Sequence, residues 1–272
     1  MIIARRQSVI SPARRRYLRK RTVERWLVAG VRLILVAGAL LLWEHAARAG
    51  WINSFIMSQP TRIWAAIVNL YNRGELFHHL WITVWETTVG FTVGTLGGIG
   101  IATLLWWSPF WSKVCDPFIV MLNSIPKVAL GPIFIVWLGT NTTAVLAMAV
   151  AVSIIVTIMM VFNGFKEVDS NQIRLLQSFG ASKRQILTKV VLAASIPTMI
   201  AALKVNVGLS LVGTIVGEFL ASKAGLGFLI IYGGQVFNMH LVMASVTLLL
   251  VVSVALYYIV SAFERWAVRG RE

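Results

Sequence analysis

Apolar residues in this chain fall into long continuous runs. The alternating pattern of a half-buried strand is absent from them. Six stretches, roughly 26–43, 82–106, 117–138, 143–163, 199–220 and 241–262, approach the ~20 mostly apolar residues that carry a helix across a bilayer. Only helices or closed barrels satisfy their backbones in lipid, so continuous runs predict helices. The expected fold is therefore all-α and polytopic, with six transmembrane helices. The third run is the least regular, because Pro126, Lys127, Gly131 and Pro132 interrupt it. Broken backbone at membrane depth is tolerated only against protein or water.

The polar intervals carry their own signals. Pro60 starts a predicted helix, PTRIWAAIVNLYNRG, with Ile63, Ile67 and Leu70 on one face. It is expected either to lie in the membrane interface or to pack on the ends of the bundle. The second run is dense in glycine (Gly90, Gly94, Gly97, Gly98, Gly100), and the fifth repeats the device with Gly208, Gly213 and Gly217. Small residues let helices approach closely in lipid, which predicts a tight bundle.

The longest departure from the membrane is 164–198, GFKEVDSNQIRLLQSFGASKRQILTKVVLAASIPT. Asp169 or Ser170 can cap a helix running to about Phe179, with Ile173, Leu176 and Phe179 at helical spacing. Gly180 suits a left-handed stop. Ser182 can cap a second helix with Ile186, Leu187, Val190 and Val191 on one side and Lys183, Arg184 and Lys189 on the other, before Pro197 begins the fifth run. Two short helices at a glycine elbow make a compact projection. Its apolar residues need a surface, either beneath this chain's own spans or in a groove on another protein.

Composition changes the picture in one respect. Hydrophobic residues make up 58% of the chain and charged ones 13%, too little charge to cover a water-facing globule. The net charge of +15 raises nucleic acid as a partner, above all for the arm RRQSVISPARRRYLRKR. The placement of the charges argues instead for membrane topology. With a cytoplasmic N-terminus, 19 Lys/Arg fall inside and 4 outside, as the positive-inside rule requires. Both termini are thus expected in the cytoplasm. The arm is then a solvated basic tail that touches anionic lipid, with no nucleic-acid partner. The basic start, first apolar run and Ala47-Arg48-Ala49 also imitate a secretory leader, but five further spans favour an uncleaved first helix. Expected segments are a basic tail over 1–25 whose composition predicts disorder, the first span and outer loop over 26–54, a core over 55–265 containing the loop 164–198, and a second tail over 266–272.

Candidate chemistry is sparse. Glu86 is expected as a rim carboxylate, and Glu218 as a partner of Lys223 or a gating group. Asn206 and Ser210, one turn apart, could line a path or bond neighbouring helices. Lys127, in the broken span, could face an anion or snorkel to the interface. The pair His78-His79 reads as an exposed loop. Cys115 is the lone cysteine, the histidines show no metal-ligand spacing, and no nucleophile–base–orienter set stands out. No enzyme, metal or cofactor is expected.

The stretch FGASKRQILTKVVLAASIPTMIAALKVNVGLSLVGTIVGEFLAS resembles the "EAA" coupling loop and following helix of binding-protein-dependent ABC importer permeases. In that pattern a glycine and a later proline are matched by Gly180 and Pro197. The segments PTRIWAAIVNLYNRGELFHHLWITVWETTVGF, SIPKVALGPIFIVWLG and SKAGLGFLI resemble the subfamily that imports aliphatic sulfonates, taurine, nitrate or thiamine-precursor pyrimidines. Two departures are that the Glu-Ala-Ala triplet is Arg174-Leu175-Leu176 and that the first loop proline is Ala193. The resemblance implies two copies of the permease, two ABC ATPase subunits and an extracytoplasmic substrate-binding protein. The chain lacks GxxxxGK[ST], so ATP is expected to be hydrolysed in the separate subunits. The resemblance further implies that Leu176, Phe179, Gly180, Ala181, Ser182, Ile186, Leu187 and Pro197 couple to the ATPase, and that the spans work by alternating access. A self-contained secondary transporter is the alternative; it would show paired broken helices in two inverted halves.

Overall fold

The computed structural model describes the backbone of residues 12–268 and side chains from 20 to 265. Helices fill it, and no strand occurs among the described residues. In order these are α1 (Pro12–Arg48), α2 (Ser54–Met57), α3 (Pro60–Asn72), α4 (Leu76–Trp107), α5 (Pro109–Ser124), a 3-10 turn (Lys127–Leu130), α6 (Gly131–Leu138) and α7 (Thr142–Lys166). There follow α8 (Ser170–Ser178), α9 (Lys183–Ile186), a π turn (Leu187–Val191), α10 (Leu192–Ala194), α11 (Ile196–Ala221), α12 (Leu226–Gln235) and α13 (Met239–Val268). Five helices are long and apolar enough to cross a membrane, and a sixth span is available if the bent pair α5–α6 counts as one.

The chain forms two compact units, Met1–Arg62 and Ile63–Glu272. In the first, helix begins at Pro12, so residues 12–25 are not the unstructured arm expected from their charge; residues 1–11 lie outside the described part. The cause is continuity: the apolar span propagates helix back through residues of good helix propensity. Glu44, near the end of α1, accepts from the Thr61 amide (3.0 Å) and hydroxyl (2.9 Å), placing a carboxylate at the N-terminus of α3. Arg48 is paired with the same carboxylate at 2.6 Å.

In the second unit α7 is the centre, with α4 on one side and α11 on the other. The glycines explain the closeness. A Cβ on Gly98 would come within 2.5 Å of Thr157, and Gly90 and Gly94 are as tightly set against Ala149 and Ser153. From the other side, a Cβ on Gly213 would lie 2.7 Å from the Ala149 Cα, and one on Gly217 would lie 2.8 Å from the Val145 Cα. Gly100 and Gly208, by contrast, meet nothing. The tight-bundle expectation therefore holds at five glycines and not at all of those in the pattern.

A second apolar cluster joins Leu70 of α3, Leu76 of α4, Leu211 of α11, Leu226 and Leu229 of α12, and Leu249 and Val252 of α13. Of the two readings of α3, packing on the bundle ends is the one realised, with Ile63 and Leu70 buried. Helix α12 is an element that the sequence patterns did not suggest.

The third apolar run is not a straight span. Its helices α5 and α6 meet at 93°. Pro126 removes an amide where α5 would continue, and Lys127 Nζ folds back onto the Asn123 carbonyl and, at 3.2 Å, its Oδ1. A cation thus terminates α5, as the helix dipole favours.

Candidate functional site

The elbow over 164–198 is built as its sequence suggests. Asp169 caps α8 by accepting from the Asn171 amide at 2.8 Å. Gly180 adopts φ +75°, the left-handed stop. Ser182 and Gln185 form a reciprocal capping box, the Gln185 side chain accepting from the Ser182 amide at 2.7 Å.

Its apolar residues divide between two surfaces. Ile186, Leu187 and Val191 are buried in a cluster with Ala102 and Leu105 of α4, Val161, Phe162 and Phe165 of α7, and Ala202 of α11. Leu176 and Ala181 are half-buried against the same cluster. Ile186 and Leu187 therefore pack beneath this chain's own spans, the first of the two surfaces open to them: amphipathic spacing shows that a face is covered and leaves open by what. Phe179 (78% exposed) and Leu175 (57% exposed) point away from the bundle. Gly180, Ser182 and Pro197 are also exposed.

The base of the elbow is pinned. Ser195 Oγ donates to the Gly164 carbonyl at 3.1 Å, joining the two ends of the excursion, and Gly164 has room for no side chain beside Thr198. Lys183 Nζ reaches the Trp107 carbonyl at 2.5 Å and caps the C-terminus of α4. Lys166 pairs with Asp116 of α5 at 3.2 Å. The projection is thereby held to α4, α5, α7 and α11, a geometry that lets a push at its tip act on several spans at once.

The opposite end of the bundle holds a buried polar lock. Glu218 is 1% exposed and, among the described residues, its carboxylate bonds groups other than Lys223. Its Oε1 accepts from the Thr83 hydroxyl at 2.7 Å and its Oε2 from the Gly227 amide at 2.5 Å. Thr83 Oγ1 in turn accepts from the Leu226 amide at 2.8 Å. The carboxylate caps the N-terminus of α12, satisfying amides that would otherwise be orphaned. Glycine is needed here: a Cβ on Gly227 would lie 2.8 Å from Oε2, and Gly225, at φ +109°, would drive one into the carboxylate. His79 lies within α4 and is buried, its Nδ1 accepting from the Gly225 amide at 3.0 Å, so it is not the exposed loop residue expected. Glu86 is likewise buried, at 1% exposure, and is not a rim carboxylate.

Between the two ends, Asn206 donates to Thr95 Oγ1 at 2.9 Å and to Thr157 Oγ1, tying α11 to α4 and α7. Ser210 is buried one turn on. Lys127 sits at the α5–α6 bend, bonded to Asn123. Lys204 pairs with Glu264 of α13 at 2.6 Å. No cluster of three or more His, Cys, Asp or Glu occurs among the described residues.

Residues missed from sequence are Leu175, Lys183, Ser195, Thr83 and the two cradle glycines. The string SKAGLGFLI held the only available signal for the last, a glycine pair soon after an acidic residue.

Comparison with known proteins agrees with this geometry. The family described as "Binding-protein-dependent transport system inner membrane component" matches residues 94–271. SsuC of Escherichia coli, named for transport of aliphatic sulfonates, is 24% identical over 226 residues, covering 83% of this chain and 86% of that protein. The formylaminopyrimidine transport permease protein ThiX of Halalkalibacterium halodurans is 26% identical, covering 70% and 75%. Among solved structures, an inward-facing MetNI methionine ABC transporter chain superposes with a TM-score of 0.62 at 18% identity, over 71% of this chain and 96% of that one.

Proposed function

The chain belongs to the family of inner-membrane components of binding-protein-dependent transport systems, and from that premise we propose how this permease is driven and what it carries. Two copies span the cell membrane with both termini in the cytoplasm, two separate ATPase subunits dock below, and a substrate-binding protein delivers solute from outside. The observation that carries the reading is the pinned elbow with Phe179 and Leu175 exposed at its tip. Large exposed apolar side chains on a short rigid helix are what a groove on a partner recognises. ATP-driven closure of the ATPases draws the two elbows together, and the pinned base passes that motion to α4, α7 and α11, alternating access to the two sides.

The second copy has a surface to cover. The bent pair α5–α6 exposes Phe118, Met121, Val136 and Trp137, and backbone broken at membrane depth is stable only against protein or water.

The cargo is a small solute, either a sulfonate, taurine or nitrate-like anion or a pyrimidine, a range in keeping with the names of SsuC and ThiX. Lys127, Asn206, Ser210 and Glu218 are the candidate polar residues along the path; the bonds of the last to α4 and α12 favour a gating role for it. A panel of sulfonates, nitrate and pyrimidines tested in transport with the cognate binding protein checks the cargo. Uptake confined to one of these classes is the expected result; uptake of none of them contradicts the assignment.

A further inference from the structure

Glu86 has no place in that reading, yet burying it demands an explanation. The residue is 1% exposed, and its carboxyl group faces only the carboxyl of Glu218 and the hydroxyl of Thr142. Glu218 is already provided for by the Thr83 hydroxyl, the Gly227 amide and the N-terminus of α12. Glu218 has donors on its far side, whereas Glu86 is met only by the Glu218 carboxyl and the Thr142 hydroxyl, so the pair is short of one positive charge or proton. One further observation points to room for a cation. A pocket of about 390 Å³, lined by Glu86, Asn141, Thr142, Ser222 and Lys223, adjoins the pair at the outer end of the bundle.

We infer that Glu86 and Glu218, with the hydroxyl of Thr142, hold one monovalent cation taken from the outer medium, a sodium ion or a proton. The donor set is oxygen alone, which suits a hard cation. The charged and titratable groups around it are Glu218 from α11, Lys223 from the turn before α12, and His79 from α4. His79 is engaged with Gly225, and Lys223 is exposed on the pocket rim without an ion pair among the described residues. A cation here would join α4, α7 and α11 where the outer lock sits, stabilising the folded permease by mass action.

The test is thermal unfolding of the purified permease, which does not depend on the transport reading. Sodium is titrated against choline at constant ionic strength and pH, and pH is titrated in choline alone. For sodium, the wild type gains about 5 °C in Tm as the ion saturates; for a proton, a similar gain comes on acidification without sodium. Glu86→Gln abolishes whichever response the wild type shows, Thr142→Val moves its midpoint to higher cation concentration, and Lys223→Gln leaves it intact. A wild type flat in both titrations overturns the inference, a result that needs no variant to fold. So does a response that survives Glu86→Gln, or one that Lys223→Gln removes, which would make Lys223 the partner of Glu86.

Discussion

Replacing Phe179 with Glu leaves the permease folded in the membrane and reduces ATP-driven uptake by at least ~30-fold. The side chain is 78% exposed and contributes little to this chain's own packing. A central aromatic in a docking groove is worth about 2 kcal/mol or more, and a charge in its place adds a desolvation cost. Leu175→Glu acts in the same direction, since Leu175 shares the outward side of α8. The informative contrast is Leu187→Glu. Leu187 is buried between α4, α7 and α11, so a carboxylate there disrupts the elbow's anchorage and lowers permease yield and stability. Copurification of the ATPase, measured beside the membrane content of the permease, separates the two. Phe179→Glu loses the ATPase at normal permease content; Leu187→Glu loses both.

The second large effect is in the helix core. Gly213→Ala places a methyl group 2.7 Å from the Ala149 Cα and 2.9 Å from the Met148 carbonyl, both backbone atoms that cannot rotate aside. Overpacking of this kind costs about 1–3 kcal/mol, a fall of up to ~10 °C in Tm for a chain of this size. Gly208→Ala, on the same helix, meets nothing within 4 Å and gains up to ~1 kcal/mol in helix propensity. Thermal unfolding of the two variants in detergent should therefore shift in opposite directions. Equal shifts would mean that α11 does not pack on α7 as described.

Much of this was legible in the sequence because it is local. Run length fixed the spans, and Asp169, Gly180 and Ser182 signalled the caps and the stop of the elbow through chemistry confined to one turn. The parts that escaped depend on groups distant along the chain. Thr83 and Glu218 are 135 residues apart, and no periodicity relates them. The burial of Glu86 and His79 likewise depends on which face of α4 turns inward, a face that the uniformly apolar and glycine-rich helix does not mark. Ile186 and Leu187 show the limit of amphipathic spacing most directly: it identified the covered side of α9 and left the covering surface undetermined. The bend at Pro126 was signalled as a break, and its 93° angle was not.

The central claim is that a pinned elbow carries work from separate ATPases into a bundle that performs no chemistry. Its most direct test is solute accumulation by proteoliposomes holding purified permease and binding protein, with and without the ATPase subunits and ATP. The account predicts accumulation only when both ATPase and ATP are present. Accumulation at full rate by the permease without them would contradict it.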